Sequence, residues 1–207
     1  MSSEVAAGDT SNRPGTTAVA RAARFVSWIG HPLVFVSASL AIIVVSRLAN
    51  RVGILVLAAL IFAVVLPTAL LLIRGVRSGR WSDADVSAPA ERASFYPPAI
   101  MLSLGGVVAL VIIGAPGFIF RGASITLLLL LLAAGINRFV KISLHTMFAF
   151  YCAVILLRIG FLPGMVAVLL AALVVWSRLH LRRHTIIEVL LGALLGTSGA
   201  VVTAWLP

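Results

Sequence analysis

Long apolar runs occupy most of the chain, and short polar segments rich in arginine separate them. A helix needs about 20 residues to cross the hydrocarbon core of a membrane. Seven runs come near that length: 25–46, 52–73, 98–113, 124–134, 146–157, 161–176 and 185–205. None shows the alternation of a transmembrane β-strand. The pattern therefore predicts an all-α, polytopic transmembrane helical bundle of six to seven membrane helices, because the fifth run is short for a full crossing.

The composition agrees with a lipid environment. Of the 207 residues, 61% are hydrophobic and 11% are charged, whereas soluble proteins carry about 25% charged residues. The mean hydropathy of +1.15 leaves too little polar surface for a water-soluble body of this size. We therefore expect one membrane domain over residues 25–207. Residues 1–24 lack the apolar stretch of a secretory signal, and we expect them to form a disordered, basic N-terminal tail.

The net charge of +10 comes mostly from arginines that lie between the apolar runs. This placement favours membrane lipids and phosphate as partners over nucleic acid. If seven spans cross the membrane, the tail and the polar segments 74–97, 137–145 and 177–184 share the more basic face. The positive-inside rule then predicts a multi-pass protein of a bacterial plasma membrane, with its polar clusters on the cytoplasmic side.

The segment from Ser177 to Glu188 carries the strongest chemical signal. His184 and Glu188 are four residues apart, so their side chains meet on one face of a helix. A carboxylate that binds one imidazole nitrogen leaves the other nitrogen available as a nucleophile or base. Arg178 adds a rigid set of donors that suits phosphate oxygens. The alternatives are a structural His–Glu pair at a helix end and a metal site that includes His180.

Two further polar clusters precede this segment. Lys141, Ser143 and His145 place an ammonium, a hydroxyl and an imidazole at the start of an apolar run, where a backbone N–H is a ready anion donor. His145 could protonate a leaving oxygen. The other cluster is the long polar segment 74–97, of a kind that is usually functional. Its candidate residues are Asp83, Asp85, Glu91 and Arg92.

The segment that ends at Glu188 resembles a motif of the membrane-bound type 2 phosphatidic acid phosphatase (PAP2) superfamily. That family carries Ser-Arg-x5-His-x3-Asp. The chain has Ser177, Arg178 and His184 at the matching positions, and Glu188 stands in place of the aspartate. The resemblance covers roughly residues 74–190 together with the helical frame.

The other two family motifs match less completely. Pro-Ser-Gly-His matches at Ser143 and His145, with isoleucine and leucine at the remaining positions. Lys-x6-Arg-Pro matches at Arg92 alone, because Asp85 stands at the lysine position and an alanine at the proline position. The three motifs fall in sequence on one predicted face of the membrane.

The resemblance implies a PAP2-like fold and a lipid phosphatase that needs no metal or other cofactor. It implies that His184 attacks phosphorus and forms a phosphohistidine, that Glu188 orients His184, and that His145 protonates the leaving group before water releases phosphate. Such sites work by positioning and charge stabilisation. With Lys141 added as a nearby cation, the predicted phosphate-binding residues are Arg92, Lys141, Ser143, Leu144 through its N–H, Ser177 and Arg178.

The departures from the family pattern leave several points open. Lys141 or Arg80 could supply the missing lysine charge, and Asp83 and Asp85 would repel phosphate unless they are paired or bind Mg²⁺. The substrate could be a polyprenyl diphosphate or a phosphatidyl-type phosphate. The rivals to hydrolysis are phosphoryl transfer to another acceptor and non-catalytic lipid binding or transport with a decayed site. We interpret His31 as a helix cap.

Overall fold

The computed structural model describes residues 18–48, 50–86 and 88–205, and most of them are helical. In chain order the elements are α1 (Ala18–Ile29), α2 (Pro32–Arg47), α3 (Arg51–Leu60), a π-helical segment (Ile61–Val65), α4 (Leu66–Arg77), α5 (Pro89–Ile112), α6 (Gly117–Ile136), α7 (Leu144–Ile159), α8 (Phe161–His180) and α9 (Ile186–Trp205). Within the described ranges no strand occurs. The all-α prediction is confirmed.

Several helices are long and apolar enough to cross a membrane. Among the described residues these are Arg51–Arg77, Ala90–Ile112, Gly117–Ile136, Phe161–His180 and Ile186–Trp205. The first of them joins α3, the π-helical segment and α4. α1 and α2 bend by 55° where they meet and together would form a sixth span. α7 is shorter, at 16 residues, as the run 146–157 predicts.

The first helix begins earlier than the sequence pattern indicates. The expectation of a disordered tail is wrong for residues 18–24, which form the first turns of α1; residues 1–17 lie outside the described part of the chain. Alanine and arginine are strong helix formers. Ala23 and Ser27 are buried one turn apart, on a helix that packs against α8. Arg21 and Arg24 are exposed, so α1 is amphipathic.

α5 also begins earlier, so the polar segment 74–97 is not a loop throughout. The helix starts at Pro89 and continues through Pro97 and Pro98. Proline suits a first helical turn, where its missing N–H has no partner to lose, and the acidic Glu91 favours the N-terminal end of the helix dipole. Membrane helices tolerate internal proline, because neighbouring groups can satisfy the freed backbone atoms. Arg92 therefore lies at the start of a helix.

α7 lies at the centre of the bundle, packed against α2, α8 and α9. α9 comes very close to it. A Cβ added at Gly196 would overlap the carbonyl oxygen of Met147, and one added at Gly192 would lie 2.7 Å from that of Ser143. Small residues spaced four apart allow membrane helices to approach in this way. The packing places the start of α9 beside the start of α7, where the polar clusters meet.

The close approach at Gly196 gives a test of this packing. Gly196→Ala places a methyl group against the Met147 carbonyl, and we expect it to lower the free energy of unfolding by about 1–3 kcal/mol. Thermal unfolding of the detergent-purified protein measures the change. Gly105→Ala is the matched control, because the added Cβ meets nothing within 4 Å and should leave stability unchanged or slightly higher. Equal midpoints for both variants would contradict the observed approach.

Candidate functional site

The three polar clusters meet at one end of the bundle, where the segments 78–88, 137–143 and 181–185 join its helices. Lys141 Nζ, in the second segment, donates to the carbonyl of Arg183 in the third at 2.7 Å. Arg178, near the end of α8, binds Asp85 of the first segment. Residues that are far apart in the sequence therefore form one polar cluster.

His184 and Glu188 form the hydrogen-bonded pair that their spacing predicts. Nδ1 of His184 lies 2.7 Å from Oε2 of Glu188, and Nε2 makes no hydrogen bond to any described residue. Burial and the positive charges of Arg178, Lys141 and Arg92 lower the pKa of His184 to about 2, so the ring is neutral at neutral pH. Donation from Nδ1–H to the carboxylate leaves a lone pair on Nε2, which is what a nucleophile requires.

A tight turn after α8 brings His184 back beside Arg178. The carbonyl of Arg178 accepts the N–H groups of Arg183, at 3.1 Å, and His184, at 3.4 Å. Arg182 adopts a φ of 51° to make the turn. A left-handed backbone costs a residue with a Cβ about 1–2 kcal/mol. Strain of this kind often accompanies a functional site.

The guanidinium of Arg178 is buried, with only 1% of the residue exposed. Its Nη1 donates to the Ser27 hydroxyl and to Oδ2 of Asp85, both at 2.6 Å. Its Nε is buried and has no hydrogen-bond partner in the described part of the chain. Because buried donors are nearly always satisfied, this guanidinium retains a donor for a further acceptor. Sequence reasoning missed Ser27, which lies on a segment that carries no motif.

Asp85 lies between Arg178 and His145. Its Oδ2 binds Arg178, and its Oδ1 lies 3.4 Å from Nε2 of His145, a buried atom that completes no hydrogen bond within the described ranges. Burial by itself would raise the pKa of Asp85, but His145 and Arg178 outweigh it and hold the pKa well below its ordinary value. An ionised carboxylate thus occupies the space between two groups that the sequence assigns to phosphate chemistry.

Arg92 is buried at the start of α5, and its hydrogen bonds go to the protein's own oxygens. Nε donates to the Val86 carbonyl at 3.1 Å, and Nη1 donates to Asn137 Oδ1 and to the Ile142 carbonyl, each at 2.8 Å. These bonds tie the segment 78–88 to the segment 137–143. The positive charge of Arg92 also acts on His184, so the residue contributes to the site through its charge.

The two predicted serines have different surroundings. Ser143 caps α7, because its Oγ accepts both the N–H and the hydroxyl of Thr146. The N–H of Leu144 follows in the first turn of α7, where helical N–H groups lack an intrahelical acceptor. Ser177 instead donates its hydroxyl to the Val174 carbonyl of its own helix at 2.8 Å. The Ser143 N–H also donates to the Glu188 carbonyl at 3.3 Å, so the start of α7, with Ser143 and Leu144, lies beside Glu188, whereas the Ser177 hydroxyl binds its own helix.

Lys141 is better placed than Arg80 to supply the missing lysine charge. Lys141 is half-buried and acts on the imidazole of His184. Burial and repulsion from Arg92 lower the pKa of Lys141. Arg80 is exposed on the segment 78–88. Asp83, in the same segment as Arg80, was expected to need a partner for its charge. It pairs with Arg183, whose Nη1 lies 2.5 Å from Oδ2 of Asp83.

His31, Asp85 and His145 form the one group of potential metal ligands in the described part of the chain, with ligand atoms within 4.8 Å of one another. His31 also caps α2, since its Nδ1 accepts the Leu33 N–H at 3.3 Å, and its ring stands edge-on to that of His145. A single carboxylate does not provide the oxygen ligands that Mg²⁺ prefers. The Arg178 charge on Asp85 opposes any cation.

The alternative metal site on α8 and α9 is not assembled. His180 stacks on Trp176, with ring centroids 5.4 Å apart. It does not join His184 and Glu188 in any ligand group that the described residues form. His180 is therefore not a third ligand beside His184 and Glu188.

A cavity of about 130 Å³ adjoins the polar cluster. His31, Asp85 and His145 form part of its wall, and apolar side chains such as Leu33 and Phe95 form the rest. It shares lining residues with a larger cavity of about 460 Å³ deeper in the bundle. An apolar cavity beside a few convergent polar groups is the usual form of a ligand site.

These features define a class of protein: an all-helical protein with helices fit to span a membrane, and with a buried, cation-rich cluster at one end. Comparisons with models of protein families, with curated proteins and with solved structures found no match for this chain. The resemblance to the PAP2 superfamily therefore rests on the residues of the three motifs alone.

Proposed function

We propose that the protein is an integral membrane phosphatase that hydrolyses a lipid phosphate or diphosphate. The observation that carries the proposal is the neutral imidazole of His184, held by Glu188 at 2.7 Å and subject to the charges of Arg178, Lys141 and Arg92. A phosphate at this end of the bundle would meet cations and a nucleophile together. Preorganised charge of this kind is the main source of catalysis in phosphoryl transfer.

The reaction has two steps. Nε2 of His184 attacks phosphorus, the bond from phosphorus to the lipid oxygen breaks, and His145 gives that oxygen a proton. Glu188 stabilises the imidazole ring as it becomes positive. Water then attacks the phosphohistidine and passes a proton to His145, and phosphate leaves as His184 is restored. The substrate phosphate must first replace the carboxylate of Asp85 at Arg178.

The substrate is an amphiphile, because the polar cluster adjoins apolar cavities inside the bundle. The lipid tail enters the smaller cavity, beside His145, and the phosphate lies among the cations. A polyprenyl diphosphate and a phosphatidyl-type phosphate both have this form. The arginine bias of the sequence supports a site on the cytoplasmic face of a bacterial plasma membrane.

Phosphate release from purified protein tests the function. The assay compares a polyprenyl diphosphate, phosphatidic acid and a small phosphate ester without a tail, all in detergent micelles. We expect turnover of at least one lipid and much slower turnover of the small ester. Product analysis with and without an added alcohol separates hydrolysis from phosphoryl transfer. Turnover of none of these compounds, by a folded preparation, would contradict the proposal.

Removal of metal ions should leave this activity unchanged. The proposed steps use only side chains, and the Arg178 charge on Asp85 opposes a cation at His31, Asp85 and His145. The measurement is phosphate release after dialysis against EDTA, with and without added Zn²⁺ or Mg²⁺. Loss of activity on dialysis, restored by one metal, would contradict a reaction that uses side chains alone and would make these three residues the first candidate ligands.

A second candidate function is lipid binding or transport without turnover. The observation that favours it is Asp85, whose carboxylate already occupies the space between Arg178 and His145. If the carboxylate never yields that space, the protein would bind a lipid tail without cleaving the headgroup. Lipid binding with no phosphate release, unchanged in His145→Ala, would support this function over the first.

A further inference from the structure

We propose that the protein has a second binding site, at the opposite end of the bundle, for a single-chain amphiphile with a phosphate or phosphonate headgroup. The site is a cavity of about 460 Å³ whose walls come mostly from α2, α6, α7, α9 and the π-helical segment. Small-molecule sites measure about 300–1,000 Å³. The proposed hydrolysis uses none of the arginines of this cavity, so the two proposals can fail separately.

Three arginines line the cavity: Arg47 at the end of α2, Arg121 near the start of α6 and Arg158 near the end of α7. Nη2 of Arg47 lies 3.4 Å from the carbonyl of Arg158, so two of them are close together. Nε of Arg121 is buried and has no hydrogen-bond partner within the described ranges. The guanidinium of Arg158 lies 5.0 Å from the centre of the Trp205 ring, a cation–π contact.

These arginines have no carboxylate beside them in the part of the chain that the structure describes. The described acidic residues all lie at the other end, in the segment 78–88 and at the starts of α5 and α9. They are Asp83, Asp85, Glu91 and Glu188. A charged group at membrane depth is costly unless it is paired or hydrated. An anionic ligand would balance the charge, and guanidinium groups bind phosphate oxygens in pairs of hydrogen bonds.

The remaining wall favours an alkyl chain behind that headgroup. It is mostly apolar, with side chains such as Leu40, Ile43 and Ile155. The cavity also shares lining residues with the smaller cavity beside His145, so its space extends from the arginines toward the middle of the bundle. Free phosphate would leave this apolar surface uncovered, whereas a chain would bury it.

Calorimetric titration with dodecylphosphonate tests the second site, using protein in a neutral detergent. A phosphonate has no ester bond to hydrolyse, so turnover at the other end does not disturb the measurement. The wild-type titration should show two classes of site for dodecylphosphonate. We expect Arg121→Gln and Arg158→Gln each to weaken the affinity of the second site by about tenfold or more and to leave the other class unchanged. Arg51→Gln is the matched control: Arg51 lies at the same end, is exposed and does not line the cavity. Arg51→Gln should change the affinity for dodecylphosphonate by no more than about twofold.

Two further variants and a second ligand identify the site and the kind of molecule that it binds. Arg178→Gln should remove binding at the candidate active site and leave the second class intact. Arg121→Lys keeps the charge and should bind better than Arg121→Gln, which separates a lost contact from a misfolded variant. Wild-type affinity in both glutamine variants, or equal weakening by Arg51→Gln, would overturn the proposal. Inorganic phosphate that binds as tightly as dodecylphosphonate would overturn the choice of an amphiphile.

Discussion

His184→Ala is expected to reduce phosphate release from the lipid substrate by about 10⁴-fold or more, because it removes the nucleophile and not merely a binding contact. The neutral ring, the bond to Glu188 at 2.7 Å and the unoccupied Nε2 all serve this one role. The measurement is the initial rate of phosphate release at saturating substrate. Rapid acid or alkaline quenching with labelled substrate should trap a phosphohistidine in the wild type and none in the variant.

His180→Ala is the matched control for this substitution. His180 lies four residues before His184, is exposed and stacks on Trp176, so its loss should leave the rate within about twofold. Gel filtration and the thermal unfolding midpoint show whether both variants are folded. A folded His184→Ala variant that retains most of the wild-type rate would exclude His184 as the nucleophile and would favour lipid binding without turnover.

The bundle could be predicted from the sequence because lipid imposes a simple length rule. The seven apolar runs correspond to the helices, and the short fifth run, 146–157, corresponds to α7. The errors lie at helix starts. The polar residues of 18–24 and 89–97 suggest tail and loop, but alanine propensity in α1 and the N-terminal proline of α5 favour helix there. Composition therefore predicts that the chain lies in lipid better than it predicts where each helix begins.

The candidate site could be predicted only where its geometry is local. His184 and Glu188 are one helical turn apart in sequence number, and they are paired as expected. Ser177 illustrates the limit: it is adjacent to Arg178, yet its hydroxyl binds the backbone of α8. The contact of Asp85 with Arg178 depends on the path of a connecting segment, and no sequence spacing encodes that path.

Asp85 provides the second prediction, because its carboxylate holds Arg178 as a substrate phosphate would. Asp85→Asn removes one partner of a buried ion pair and leaves the Arg178 charge uncompensated, at a cost to folding stability of about 3–5 kcal/mol. The pKa of Asp85 is depressed, so its contribution to stability is present above the ordinary value of 3.8 and is lost as the pH falls below it. The stability difference between wild type and variant should therefore be full at pH 7 and shrink in acid.

The same substitution should increase the affinity for phosphate-bearing ligands, because only such a ligand can now neutralise Arg178. We expect the KM for the lipid substrate to fall by about tenfold, and added vanadate or phosphate to restore part of the lost thermal stability. Asp83→Asn is the matched control: its partner arginine is partly exposed, so stability should fall by no more than about 1 kcal/mol and KM should not change. If Asp85→Asn instead lowers kcat and anions do not stabilise it, Asp85 positions His145 and does not stand in for the substrate phosphate.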